Sequence, residues 1–475
     1  MENPLRKDKT LIIILILMLL GFIIRIYSLS TQSLWIDEGF SINAALAVLK
    51  HGIPLMDSGI YYTGTLLHTY IISLFMLVFS NDIFGARLVS VLFGTAVIPL
   101  TYYLGKKINK TTGIVACILV AFSVWEIAWS RQARMYVLFQ FLFLLSIYLF
   151  YNFTKNSKIK DLVYSLISAF LAILSHRLGF VLILIYFLYV IFNKIDNKYI
   201  QDSLKEDKKI IILILLLIPV IYIAIDSFIS FNFLLVNYLP AYIYYMKTVN
   251  PSFFYLGIIG TFLLLKDDFR LGYLFFLSLL IPFIFVSLFV YVIHYRYLFI
   301  IFPLLFILTG KTIDYVSSIF KKFKIPVLVI LLLGILINGF IFIPQSYYDL
   351  ERETPQPNFD KAYSYVRTHT DNDTTIVDAF PSIGQLYLEK IDYSFRFSLS
   401  GREGDIWDKN ADWYTNITYI DLDTLKNLSQ CYIIIDKLSY RRINSDLRKQ
   451  LDSMNIIEKA SENKNIWSGI TVYTC

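Results

Sequence analysis

Apolar residues recur along the chain in long blocks nearly free of charge. The blocks lie near 11–27, 88–104, 112–129, 136–152, 161–175, 178–193, 210–226, 251–266, 271–292, 297–311 and 326–343. Each approaches the length a helix needs to cross a hydrocarbon core of about 30 Å. Leu66–Phe79 is equally apolar. As a helix, however, it would rise only about 21 Å at 1.5 Å per residue, so it reads as an interfacial or re-entrant segment. The pattern predicts a polytopic α-helical membrane protein with about eleven spans and one external juxtamembrane helix.

Charge placement assigns the sides. If Leu66–Phe79 does not cross, the basic loops all fall on one face: Arg6 to Lys9, Lys106 to Lys110, Lys155 to Lys160, Lys194 to Lys209, Lys266 with Arg270, and Lys311 to Lys324. That is the positive-inside arrangement. If it does cross, the basic loops between 106 and 324 switch faces. The expectation is therefore a cytoplasmic N-terminus and an extracytoplasmic C-terminal tail. The first apolar run follows Arg6-Lys7-Asp8-Lys9, as in a signal peptide. Its length, the many later runs and the lack of a clean small-residue cleavage site favour a retained first span.

Beyond Pro344 the alternation changes. Turn residues such as Pro355-Gln356-Pro357-Asn358 appear, and short strand and helix patterns follow one another. Helices are expected at 359–367, 383–389, 422–428 and 442–454, and strands at 374–380, 415–420, 431–436, 456–459 and 469–473. Two domains result: a transmembrane domain at 1–343 and a small extracytoplasmic α/β domain at 344–475. Asn416 and Asn427 head two sequons in the tail.

Composition supports the membrane assignment: 475 residues, 57% hydrophobic and only 17% charged. The net charge of +7 is not a nucleic-acid signature, since its Lys and Arg sit in short loops between spans. Of three cysteines, Cys117 lies in a span, and Cys431 and Cys475 can pair if the tail is in an oxidising compartment.

The unusual polar groups gather on the expected external face. Asp37 and Glu38 follow the first span beside Trp35. Carboxylates at a membrane edge are costly unless paired, wet or used. They suit two tasks: taking a proton from an attacking hydroxyl, or holding a divalent cation. A plainer role is Asp37 as the cap of a helix over Phe40 to Leu49. Arg131 and Arg134 precede the fourth span, three residues apart, and would share a face if that helix begins early. With Arg296, and with Arg87 at the outer end of the second span, they can present guanidinium donors to a phosphate. Snorkelling toward lipid headgroups is the alternative. Glu126 lies one turn inside the preceding span, able to pair with either arginine. His176 and His294 fall at the same level, Lys50 adds positive field, and Tyr61, Tyr62 and Tyr136 offer sugar or acceptor contacts.

These motifs resemble the GT-C class of glycosyltransferases. The likeness is to the protein O-mannosyltransferases and lipid A aminoarabinose transferases, the dolichyl-phosphate-mannose-protein mannosyltransferase-like group. It rests on Leu34-Trp35-Ile36-Asp37-Glu38-Gly39, the Pro54–Leu67 stretch, Asp82-Ile83-Phe84-Gly85-Ala86-Arg87-Leu88, Ser130-Arg131-Gln132-Ala133-Arg134-Met135-Tyr136, and Arg296-Tyr297 before Pro303. The resemblance implies a sugar donor on a polyprenyl phosphate, with a saccharide, lipid-linked glycan or protein as acceptor. Asp37 becomes the base, Glu38 its assistant, and Arg131, Arg134 and Arg296 the donor-phosphate contacts. The chain lacks an evident Asp-x-Asp pair in the second external loop, so oligosaccharide transfer to asparagine fits less well and metal dependence stays open. A transporter or flippase of polyprenyl-linked sugars is the competing reading. It would favour charged, broken helices at mid-membrane and matching halves, neither of which the sequence displays.

Overall fold

The computed structural model describes residues 4–80, 82–193, 236–249, 251–290, 293–336, 339–346, 348, 350, 358–397, 417–460 and 469–475. The chain divides into two compact units. The first comprises Met1–Tyr27, Gly64–His68 and Arg87–Gln345; the second comprises Ser28–Thr63, Thr69–Ala86 and Ser346–Cys475.

The first unit is helical. Its elements are α1 (Pro4–Ile26), the start of α3 (Leu66–Phe79), most of α4 (Asp82–Gly105), α5 (Lys110–Phe122), α6 (Val124–Trp129), α7 (Tyr136–Asn156), α8 (Ile159–Ser175) and α9 (Val181–Asn193). They continue with α10 (Leu239–Val249), α11 (Pro251–Asp267), α12 (Phe269–Phe289), α13 (Phe302–Ile319) and α14 (Lys324–Leu336). Among the described residues five helices are long and apolar enough to cross a membrane: Lys9–Ile26, Ile83–Gly105, Tyr136–Asn156, Phe269–Phe289 and Tyr295–Ile319. The expected span at 210–226 lies outside the described residues. The hydropathy pattern gave no sign of α10.

The expected continuous span at 112–129 is broken. Ser123 is extended, with φ −61° and ψ 129°, and separates α5 from α6. Helix ends need partners for their orphan carbonyls and N–H groups, and here they come from two places. Ile341 N donates to Phe122 O at 2.8 Å and Val124 N to Gly339 O at 3.1 Å, so the segment 339–341 bridges the break. Arg25, fully buried on α1, donates to Val120 O, Ala121 O and Gly21 O, each at 3.0 Å, and to Ser130 Oγ at 3.2 Å. A guanidinium buried in an apolar bundle is tolerated only when its donors are met. Arg25 meets that condition by clasping the end of α5.

The second unit is built on a six-stranded sheet of order β3-β2-β1-β4-β6-β5. Its strands are β1 (Thr375–Asp378), β2 (Tyr393–Ser394), β3 (Thr418–Tyr419), β4 (Cys431–Asp436), β5 (Asn455–Ala460) and β6 (Ile470–Thr474). Strands β1 to β4 pair in parallel, and β6 runs antiparallel to both β4 and β5. Helix α15 (Phe359–His369) sends Phe359, Ala362, Tyr363 and Val366 into the core, at the i, i+3, i+4, i+7 spacing of one face. The helix expected at 422–428 is α17 (Leu422–Lys426), and that expected at 442–454 is two helices, α18 (Lys437–Arg442) and α19 (Ser445–Asp452). Ile443 is extended, and Asn444 caps the second by accepting from Asp446 N at 2.7 Å. The expected helix at 383–389 is the single turn α16 (Pro381–Gly384), and β2 is a strand not anticipated. Cys431 and Cys475 form a disulfide, joining the start of β4 to the residue after β6.

Also in this unit are α2 (Ile36–His51) and a short hairpin in which Leu55 bridges Tyr61.

Candidate functional site

In the first unit, the segment between α6 and α7 is a turn, not the early helical start expected for Arg131 and Arg134. Arg134 N donates to Gln132 O at 2.7 Å, and α7 begins only at Tyr136. The reason is local. Arg131 turns back and donates through Nη1 to Arg25 O and Tyr27 O, closing the C-terminal end of α1. Gly94 on α4 lets this turn approach closely, since a Cβ there would stand 2.0 Å from Ser130 Oγ.

Arg134 and Arg296 both rest on Tyr136. Their guanidinium carbons lie 5.8 and 5.9 Å from its ring centroid, within cation–π range. Both arginines are buried, Arg296 in a 3-10 turn at Tyr295–Ile301. Trp129 meets Tyr136 edge-on at 4.9 Å, and His176 lies 5.7 Å from the same ring. Tyr297 is 5.9 Å from His176 and 5.5 Å from His294. Burial, and after it the charges of Arg134, Arg296 and Arg177, push the His176 pKa down to about 3. The imidazole is thus neutral in a net positive field. Among the sequence-named residues, Arg134, Tyr136, His176, His294 and Arg296 therefore form one cationic, aromatic cluster.

Glu126 is not joined to an arginine side chain by any described ion pair. Its Oε1 accepts from Gln140 Nε2 at 3.1 Å, and the same Nε2 donates to Phe299 O at 2.8 Å. Arg87 is buried on α4.

The acidic step lies in the second unit, at the start of α2. Trp35 is the N-cap, with φ −91° and ψ 152°, so the helix starts before Asp37 and Asp37 is not its cap. Glu38, fully buried, accepts from Trp35 N at 3.1 Å through Oε2. That is the return bond of a capping box. Asp37, one position earlier, is part-exposed in the first turn, where the helix dipole favours negative charge. The surrounding segment is firmly seated within its unit. Gln32 Nε2 donates to Tyr348 O at 3.2 Å, Asp360 N to Ser33 Oγ at 3.3 Å, and Asn43 Nδ2 to Ser382 O at 2.6 Å. Ile36 packs on the core of the sheet. Gly39 is needed here, because a Cβ would lie 2.8 Å from Ser382 O. Lys50 is exposed in the last turn of α2, Tyr61 is exposed in the hairpin and Tyr62 is part-buried. Among the described residues, no three His, Cys, Asp or Glu side chains group as metal ligands do.

Sequence reasoning overlooked Arg25, Gln132, Gln140 and His68. His68 had a readable signal, as the one histidine in the apolar run 66–79, which holds no Asp, Glu, Lys or Arg.

Comparison with known proteins gives these features a context. A family model described as dolichyl-phosphate-mannose-protein mannosyltransferase matches residues 63–223. The structure superimposes on ArnT from Cupriavidus metallidurans in the apo state over 98% of each chain, with a TM-score of 0.65 at 11% identity. The fold is GT-C. The same GT-C arrangement matches ArnT bound to undecaprenyl phosphate, with a TM-score of 0.58 at 12% identity over 98% of each chain. It also matches an Archaeoglobus fulgidus oligosaccharyltransferase tethered to an acceptor peptide containing the NVT sequon. That match has a TM-score of 0.62 at 11% identity and covers 90% of this chain and 69% of the other. In sequence, an uncharacterized protein of Aquifex aeolicus (strain VF5) is 29% identical over 181 residues, 37% of this chain and about a third (36%) of that protein. The chain therefore shares the fold of ArnT and the oligosaccharyltransferase and is a multi-pass membrane protein. Arg87, Glu126, Arg131, Arg134, Tyr136 and His176 all fall inside the segment that the family model matches.

Proposed function

We propose that this GT-C chain is an inverting glycosyltransferase that moves a sugar from a polyprenyl-phosphate donor to a hydroxyl acceptor at the outer membrane face. The acceptor is a lipid-linked glycan, a cell-surface glycan or a protein. The observation that carries the reading is Tyr136 shared by two buried guanidinium groups, Arg134 and Arg296. Two guanidinium groups held on one ring present several N–H donors in a fixed geometry that matches phosphate oxygens. A phosphate on a lipid brings such oxygens to membrane depth.

In the reaction, the acceptor oxygen attacks the anomeric carbon and forms the new glycosidic bond. The bond from that carbon to the phosphate oxygen breaks, and its electrons leave with the polyprenyl phosphate. Arg134 and Arg296 stabilise the charge that develops there. Asp37 takes the acceptor proton. A single displacement inverts the anomeric centre. Glu38 assists by holding the first turn of α2 through Trp35 N. Arg131, with donors committed to the end of α1, acts on the phosphate less directly than its neighbours.

The division into a transmembrane catalytic domain at 1–343 and an extracytoplasmic α/β domain at 344–475 belongs to the same proposal. The Cys431–Cys475 disulfide supports an oxidising compartment for the tail, and the positive-inside loops support a cytoplasmic N-terminus. Cysteines placed at Ser58 and Ser80 should label from outside; protection of Ser80 would overturn that topology.

The test of the reaction is transfer from radiolabelled polyprenyl-phosphate sugars into membrane extract, comparing wild type with Asp37→Asn. Labelled product from wild type alone supports the scheme. Equal transfer by both removes Asp37 from it.

A further inference from the structure

Two buried polar side chains beside Arg134 have no part in the scheme above. His68, the third residue of α3, is fully buried, and neither ring nitrogen has a hydrogen-bond partner among the described residues. Gln132 is 2% exposed, and its amide oxygen and nitrogen likewise have none. Both are tied to Arg134. Gln132 stands two positions before it, in a turn closed by the bond from Arg134 N to Gln132 O. The Arg134 charge reaches the His68 ring and adds to burial in pushing its pKa down to about 3, so the imidazole is neutral.

A buried polar group left unmet is costly, and the described residues hold two such side chains by Arg134. Their chemistry indicates what meets them. A neutral imidazole offers one N–H and one acceptor nitrogen; a glutamine amide offers an NH2 and a carbonyl. A phosphate only accepts, and would leave the imidazole lone pair and the amide oxygen unmet. A hydroxyl both donates and accepts, so the hydroxyls of a sugar ring satisfy both side chains. Arg134, with donors only, suits the phosphate.

We propose that His68 and Gln132 bind hydroxyl groups of the sugar carried on the lipid phosphate and thereby select among donor sugars. This rests on the reading of Arg134 as a donor-phosphate contact. Sites built to hydrogen-bond a substrate hydroxyl discriminate strongly, because the analogue lacking it strands buried polar groups.

The test measures binding of the full-length protein in detergent to undecaprenyl phosphate alone and to a panel of undecaprenyl-phosphate-linked hexoses and pentoses. Wild type should bind at least one sugar donor more tightly than the bare phosphate. His68→Phe and Gln132→Met should hold undecaprenyl phosphate within twofold of wild type and lose at least tenfold of the sugar-dependent gain. His68→Gln, which keeps a donor and an acceptor, should retain part of that gain and serves if the Phe variant does not fold. The inference is overturned if wild type shows no sugar-dependent gain with any donor. It is equally overturned if the variants match wild type on every donor, or if they lose the bare phosphate as well. Arg134→Gln separates the two readings. It should lose undecaprenyl phosphate itself; if it does not, the phosphate assignment fails, while a selective loss in His68→Phe still upholds the sugar contact.

Discussion

Asp378 closes β1 with its carboxyl group fully buried. Tyr363 OH donates to both oxygens, at 3.0 and 2.9 Å, and Phe380 N donates to Oδ1 at 2.9 Å. A Cβ on Gly384 would lie 2.0 Å from Oδ2, so the cavity has no spare room. Burial raises the Asp378 pKa from 3.8 to about 7, against the lowering effect of the Phe380 and Tyr363 bonds. The unfolded chain therefore releases this proton near pH 3.8 and the folded chain near 7. Between those values the native state binds more protons, and the stability of the sheet falls as pH rises, levelling off above about 7. At 1.36 kcal/mol per pH unit, the ceiling on this loss is about 4 kcal/mol. Asp378→Asn keeps the shape and cannot ionise, so it should abolish this share of the pH dependence and leave the sheet at least as stable as wild type at pH 8. Hydrogen exchange of the β1 and β4 amides between pH 4 and 8, corrected for intrinsic rates, reads the local opening energy. Subtracting the variant from the wild type isolates Asp378. Identical pH slopes in the two proteins, or a wild-type advantage that grows with pH, would refute the reasoning.

Three further outcomes are expected. Tyr136→Leu removes the ring on which Arg134 and Arg296 both rest and should weaken undecaprenyl phosphate binding about tenfold, as losing one desolvated cation–π partner of each arginine suggests. Tyr136→Phe should bind as wild type does; equal loss in both would point to the hydroxyl instead. Arg25→Met strands the Val120 and Ala121 carbonyls and should cost about 3 kcal/mol, within the range for breaking a buried charge network, read as a lower Tm in detergent. An unchanged Tm would show that the clasp contributes nothing. Gly39→Ala should destabilise the α2 segment, because the added methyl meets Ser382 O at 2.8 Å, although helix propensity alone favours alanine by about 1 kcal/mol. Increased protection of residues 36–43 in exchange experiments would mean that α2 is not seated as described.

How much of this was legible in the sequence depends on how local its cause is. The strand Cys431–Asp436 coincides with the expected one, since its apolar run is bounded by turn residues and its partners hardly matter to its existence. Leu66–Phe79 likewise matches, because both ends are written in polar neighbours. The break at Ser123 was not legible. Its cause is two segments remote in sequence, Arg25 and residues 339–341, which supply the hydrogen bonds that a continuous helix would have made for itself. Within the first unit, Arg134, Tyr136, His176 and Arg296 stood out because cations and aromatics at the ends of apolar runs are conspicuous. Arg25 and His68 were hidden by the apolar runs around them, where a smoothed hydropathy pattern averages one polar residue away.

The adjacent pair Asp37 and Glu38 carries the same lesson to the level of single residues. Composition treats the two carboxylates as equivalent; the start of α2 does not. Glu38 is buried and bonded to Trp35 N, three residues back along the chain. A carboxylate used in that way fixes a helix start and has little freedom to approach a substrate hydroxyl. Asp37, by contrast, keeps partial exposure in the first turn of α2. The division yields a sharp expectation. Asp37→Asn should abolish transfer while leaving exchange protection of α2 intact, whereas Glu38→Gln, whose amide oxygen can still accept from Trp35 N, should retain most transfer. If Glu38→Gln is as inactive as Asp37→Asn with α2 equally protected, then Glu38 is itself the reactive carboxylate and the roles assigned here are reversed.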